Sequence, residues 1–193
     1  MLTVDLSGKK ALVMGVANER SLGYAIAQKL RAAGAELALS YQAERLRPDL
    51  ERVAQALGGA LLFQADVTKD EELDALFRRL REAWGHLDYL VHSLAFAPRE
   101  AFSGRYLDTT RADWLLTLEV SAFSLVAAVQ RAEPLLRPGG AILTLTAVGG
   151  GVGLLLAYIL GLAVPFLLVA LFAERLKGWL KRAGRLSHYV ELL

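Results

Sequence analysis

The 193-residue chain has no cysteine, which excludes disulfides and thiolate metal sites, and its 54% apolar and 22% charged content is that of a globular domain. The net charge of +2 hides a split: residues 174 to 193 hold Arg175, Lys177, Lys181, Arg182 and Arg185 against Glu174 and Glu191, a local +3 that leaves the first 173 residues at −1. The body has no basic stripe interleaved with aromatics, which excludes a nucleic-acid surface, and MLTVDLSGKK lacks the apolar stretch of a secretory signal, so the front of the protein is expected in the cytoplasm.

Short aliphatic runs alternate with segments of helical period. The strand candidates are ALVMGV (11 to 16), AELALSY (35 to 41), ALLFQA (60 to 65), LDYLVHS (87 to 93) and GAILTLT (140 to 146). Between the first two, Leu22, Ile26, Leu30 and Ala33 recur at helical spacing and Gly34 supplies a left-handed stop. A second helix starts near Pro48, carries Leu50, Val53, Ala54 and Leu57, and stops at Gly58. Thr68 with Glu71 reads as a capping box ahead of Leu73, Leu76, Phe77 and Leu80. A long fourth helix, roughly Thr110 to Arg131, leads to a turn at Arg137-Pro138-Gly139-Gly140. This alternation is the pattern of βαβ units, a parallel sheet with helices on both faces.

After Thr146 the pattern changes. From Gly149 to Ala173 there are 25 residues without a charge, a transmembrane candidate because a helix of that length covers roughly 37 Å against a hydrocarbon core of ~30 Å. Pro165 inside it is tolerated better by membrane helices, and a fully buried soluble helix is the competing reading. In the tail, Leu176, Trp179, Leu180, Ala183 and Leu186 share one face with basic residues opposite, as in a membrane-surface helix or an ordinary amphipathic one. The expected fold class is therefore α/β, a Rossmann-like doubly wound parallel sheet truncated after its fifth strand, then an apolar helix and a basic amphipathic helix. Residues 1–148 form an incomplete dinucleotide-binding domain, 149–173 the apolar segment and 174–193 the tail.

A strand ending in Gly15, a loop through Ser21, and Leu22-Gly23 opening a helix make a phosphate-binding arrangement: glycine lets backbone approach a pyrophosphate, and the helix start offers free amides. The run GVANERSLGYAIAQKLRAAGAELALSYQ, with FQADVTKDEELDALF and VHSLAFAPREAFSGRYLDTTRADW following in order, resembles the NADH-dependent enoyl-acyl carrier protein reductases of the short-chain dehydrogenase superfamily over about residues 2 to 146. The resemblance implies that Gly15, Ala17, Ser21 and Leu22 hold the pyrophosphate and adjacent ribose and that Gln42 sits by the adenosine ribose. It places Asp66 and Val67 at the adenine, Ser93, Leu94 and Ala95 beside the nicotinamide-side ribose, and Phe96 and Ala97 at the substrate. Taken alone, Asp66 also reads as the start of a turn, Ser93 as a loop hydroxyl and Gln42 as a solvated polar residue. NAD is the implied cofactor. The uncharged Gln42 favours NADH, with Arg45 and Arg47 near enough in sequence to leave NADPH open. His92 reads as a packed strand residue, and His86, His92 and His188 form no metal constellation.

By the same resemblance the substrate is an enoyl group on acyl carrier protein, reduced by hydride transfer in fatty-acid synthesis, and two tyrosines and a lysine are expected just after the fifth strand to stabilise the enolate oxygen. Here Thr146 is followed by Ala147-Val148-Gly149-Gly150, Pro165 stands seven positions after Tyr158, and no lysine occurs between Lys69 and Lys177. No catalytic residue is assigned, turnover is expected to be lost, and the family homotetramer does not carry over. The segment GVGLLLAYILGLAVPFLLVALFAERLKGWLKR in turn resembles a membrane span of the cytochrome c biogenesis thiol-disulfide carriers, without their cysteine pair. Basic residues after one span favour the same side as the folded domain before it, which no single span allows. The alternative is a non-catalytic nucleotide-binding fragment fused to a membrane segment, a chimera or misassembled reading frame joined near residues 147 to 151.

Overall fold

The computed structural model describes residues 4–100 and 105–145. The chain divides into two units, Met1–Thr146 and Ala147–Leu193, and the described residues belong to the first. The apolar segment, the basic tail, Tyr158 and His188 lie outside them.

Five parallel strands form one sheet in the order β3-β2-β1-β4-β5: β1 Lys10–Met14, β2 Glu36–Tyr41, β3 Leu61–Gln64, β4 Leu87–His92 and β5 Leu136–Thr144. The fold is the expected Rossmann-like one, with the strand order reversing between β1 and β4. Central β1 has no polar face. Leu12 and Met14 enter one core layer and Ala11 and Val13 the other, as a strand covered on both sides requires.

Helices α1 (Leu22–Ala32) and α2 (Arg47–Ala56) cover one face, where Tyr24, Ala27, Leu50 and Val53 pack on Val13, Leu37, Leu39 and Val91. The opposite face is covered by α3 (Asp70–Trp84) and α5 (Ser124–Ala132). Leu73, Leu76, Phe77 and Leu80 of α3 are all buried at the spacing that puts them on one stripe, each contributing about 1.5–3 kcal/mol of transfer free energy. Across α3, Arg131 of α5 pairs with Asp70 at 2.9 Å and Asp74 at 2.6 Å.

Two local expectations need correction. Thr68 and Glu71 do not form a capping box: the Thr68 hydroxyl and amide both donate to Asp66 Oδ1, and it is Glu72 that reaches back to accept from Asp66 N–H at 2.8 Å. The short Asx turn claims the hydroxyl, so α3 starts at Asp70 behind an uncapped Lys69. The long fourth helix lies where it was expected, with one departure from regular α geometry inside it. It runs as α4 (Arg111–Leu118), one π-helical turn (Glu119–Phe123) and α5. Finally, Arg137-Pro138-Gly139-Gly140 is no turn before the fifth strand but a bulge inside it, since Leu87 pairs Leu136 while Tyr89 already pairs Ala141. Gly140 is required there because a Cβ would lie 2.5 Å from Asp88 O. Arg111–Leu135 has the length and apolar composition of a membrane span, yet Ala127, Ala128, Ala132 and Leu135 are core residues under the sheet.

Candidate functional site

A crevice of about 450 Å³ opens at the carboxyl ends of β1 to β4, within the size range of small-molecule sites. Position follows from topology. Adjacent parallel strands whose connections leave in opposite directions, here β1 and β4, cannot have the gap above them closed by a crossover.

Gly15 closes β1 with φ +89°, and a Cβ there would lie 2.1 Å from Ser93 O. The close approach is needed because the chain after β4 continues the pairing, Ser93 N–H donating to Met14 O at 3.0 Å. Gly23 has a similar task at the first turn of α1, where a Cβ would press on Val16 at 3.2 Å. The loop between them is held by its own polar groups: Asn18 O accepts from Ser21 N–H and Oγ, and Asn18 Oδ1 accepts from Arg20 N–H. Ser21 caps α1 by accepting from Tyr24 N–H at 3.2 Å. The Leu22 and Gly23 amides find no acceptor among the described residues, which leaves the helix start able to receive an anion.

At the other end of the crevice Gln42 Nε2 donates to Asp66 Oδ2 at 3.3 Å. Burial raises the Asp66 pKa, but the Thr68 amide and hydroxyl, Gln42 and the Lys69 charge outweigh it and hold the carboxyl below its ordinary value. Asp66 is therefore an ionised acceptor at neutral pH. Among the described residues the crevice wall itself carries no lysine or arginine, and Arg47 is taken up by Glu44 at 3.0 Å and Glu51 at 2.9 Å.

Behind the crevice floor His92 is fully buried, as a packed strand residue should be. Ser124 Oγ spends its one proton on Val120 O at 2.6 Å, so the proton in its 2.7 Å contact with His92 Nε2 belongs to the imidazole. Nδ1 then faces Thr144 Oγ1 at 3.4 Å as an acceptor. Burial depresses the His92 pKa and keeps the ring neutral.

Gly15, Ala17, Gln42, Asp66, Val67, Ser93, Leu94, Ala95 and Phe96 all line this one space although they come from four separate stretches of sequence. Three of the expected residues do not line it. Ser21 sits at the helix cap, Leu22 is 69% exposed and borders an apolar groove on the outer side of α1 with Val4 and Leu6, and Ala97 lies beyond the wall. The wall also includes Ser40 and Tyr41, which close β2, and Leu116 and Val120 from α4 and the π turn. The last two are four apart, a spacing visible in sequence, but their direction depends on how the helix lies against β4.

The fold and the crevice together define a Rossmann-like α/β unit with a ligand site at its strand-order reversal. A family model described as enoyl-(acyl carrier protein) reductase matches residues 15–159, past the Thr146 at which the motif-by-motif resemblance ends, and the chain belongs to that family. The NADH enoyl-acyl-carrier-protein reductase 1 of Rhizobium meliloti is 42% identical over 144 residues, 75% of this chain and 53% of the relative. A crystal structure of the Anaplasma phagocytophilum reductase in complex with NAD superposes with a TM-score of 0.72 at 40% identity, covering 76% of this chain and 57% of that one. The Bacillus cereus enoyl-acyl carrier protein reductase with NADP+ and an indole naphthyridinone gives 0.73 at 42%, covering 77% and 58%. The chain spans 53% to 58% of the length of such curated relatives.

Proposed function

We propose that residues 1–146 form the cofactor-holding part of an enoyl-acyl carrier protein reductase, working in the cytoplasm and binding NADH in preference to NADPH. The observation that carries this is the convergence of Gly15, Gln42, Asp66 and Ser93 on one crevice beside the unclaimed amides of α1. Leu22 and Gly23 N–H would take the pyrophosphate, and so would the loop at Ala17, with Ser21 supporting that turn as a cap. Gln42 and the ionised Asp66 would take the adenosine end, where a 2′-phosphate meets a carboxylate and no free arginine on the wall. Ser93, Leu94 and Ala95 would border the nicotinamide-side ribose, and Phe96 and Ala97 the enoyl substrate. In a complete reductase the cofactor would supply the hydride; the residues of this unit would bind and orient it.

After Thr146 the next tyrosine is Tyr158, with Pro165 seven positions on, and no lysine occurs between Lys69 and Lys177, so the expected enolate-stabilising pair has no counterpart and we take the chain to bind cofactor without turnover. Titration of the 193-residue protein with NADH, followed by nicotinamide fluorescence, is expected to saturate. A crotonyl thioester added to high enzyme concentration is expected to leave the NADH absorbance unchanged. An unmoved fluorescence signal removes the cofactor reading, and a falling absorbance removes the inactive one.

A second reading is favoured by the 25 uncharged residues from Gly149 to Ala173: a nucleotide-binding unit joined to a membrane segment of cytochrome c biogenesis type, by gene fusion or a misassembled frame. It requires that the protein need detergent to stay in solution; resequencing through residues 140 to 155 that returns the same join points to gene fusion, and a different join points to a misassembled frame. Solubility as a monomer without detergent overturns it.

A further inference from the structure

The π-helical turn Glu119–Phe123 is a feature that the cofactor reading does not use. Such turns are rare and concentrate at functional positions. From this one, Ser121 Oγ reaches 25 residues back along the chain: it accepts from Phe96 N–H at 3.0 Å and donates to Phe96 O at 3.2 Å. A single hydroxyl thus satisfies both backbone groups of a residue that lies in no helix or strand, on a crevice wall. Three positions on, Ser124 anchors the same turn to His92 at the end of β4. The segment from His92 to Phe96 is therefore held at both ends by serines of one helix, while Val120 beside Ser121 lines the crevice.

We propose that Ser121 is a positioning residue: by pinning the Phe96 backbone it shapes the end of the crevice beyond β4, and so sets affinity for the nicotinamide half of the cofactor while leaving the adenosine half untouched. The inference rests on the cofactor reading above. Without the hydroxyl, the Phe96 N–H and C=O turn to water and the segment loses its fixed distance from Val120. At the far end, Gln42 and Asp66 are bonded to each other and to Thr68, not to the π turn, so they keep their geometry.

The experiment titrates the full chain with NADH, read by nicotinamide fluorescence, and separately with ADP, read by calorimetry. Ser121→Ala is expected to weaken NADH about tenfold, the factor two neutral hydrogen bonds confer, and to reduce the fluorescence enhancement at saturation, with ADP affinity unchanged. Ser121→Thr keeps the hydroxyl and is expected to restore both NADH readouts. Thr117→Ala removes a hydroxyl bonded to Asp113 O one turn earlier, away from the crevice, and is expected to match the parent. NADH affinity unchanged in Ser121→Ala, or ADP affinity lost in step with NADH, overturns the proposal. If the parent binds ADP and NADH equally weakly or not at all, the cofactor reading has failed and the inference falls with it.

Discussion

The two edges of the sheet are built from the same strands and solve opposite problems. At the amino edge a buried carboxylate gathers the neighbouring donors. Asp88, 2% exposed at the start of β4, accepts from Lys10 N–H at 2.9 Å and Lys9 Nζ at 3.2 Å, and Lys10 Nζ donates to Trp84 O. Burial raises the Asp88 pKa, but these donors prevail and keep it below its ordinary value. At the carboxyl edge the helix-start amides are unclaimed and Phe96 is 45% exposed. A closed edge stores stability, whereas an open one stores binding capacity. Damage to the two should therefore be separable.

The largest effect is expected where one residue serves both purposes. Gly15→Ala forces a Cβ to 2.1 Å from Ser93 O at a φ of +89°, so stability should fall by about 3 kcal/mol or more, with NADH binding abolished. Thermal unfolding and the fluorescence titration read the two losses. Asp88→Ala is the test of the closed edge. It strands the half-buried Lys10 amide and should cost about 1–2 kcal/mol, while NADH affinity of the folded protein stays at the parent value. An equal loss of affinity would show that the edges are not independent.

The converse change on the open edge is Gln42→Arg. A guanidinium beside Asp66 should raise NADPH affinity about tenfold in calorimetry and leave the unfolding midpoint within a degree or two. The smallest effect is a pH dependence. Because burial puts the folded His92 pKa below its ordinary 6.5, the unfolded chain takes up that proton first. Its contribution is complete above pH 6.5 and declines by up to about 1.4 kcal/mol per unit as pH falls from there toward the folded value. His92→Asn should flatten that slope in denaturant titrations between pH 5 and 7.

Where the structure agreed with the residue pattern, the cause was local. Leu50, Val53 and Leu57, or Leu73, Leu76 and Phe77, recur at the helical period because one face must be dry, and that requirement holds whatever the helix packs against. Where it disagreed, a competing partner had intervened, whether two residues away or in another strand. Thr68 chose Asp66 over its helix, and Gly140 was placed by Asp88 in another strand. The π turn after Leu118 left no mark in composition, since its register is set against Phe96 and His92.

The sequence alone thus determined the α/β alternation, the strand and helix positions to within a few residues and the family, because period, glycine stops and motif order are properties of contiguous chain. Only the tertiary structure decided that Ser21 and Leu22 stand off the crevice wall while Leu116 and Val120 stand on it, and that Ser121 grips Phe96. Those facts depend on directions in space between segments tens of residues apart, and no local preference encodes a direction.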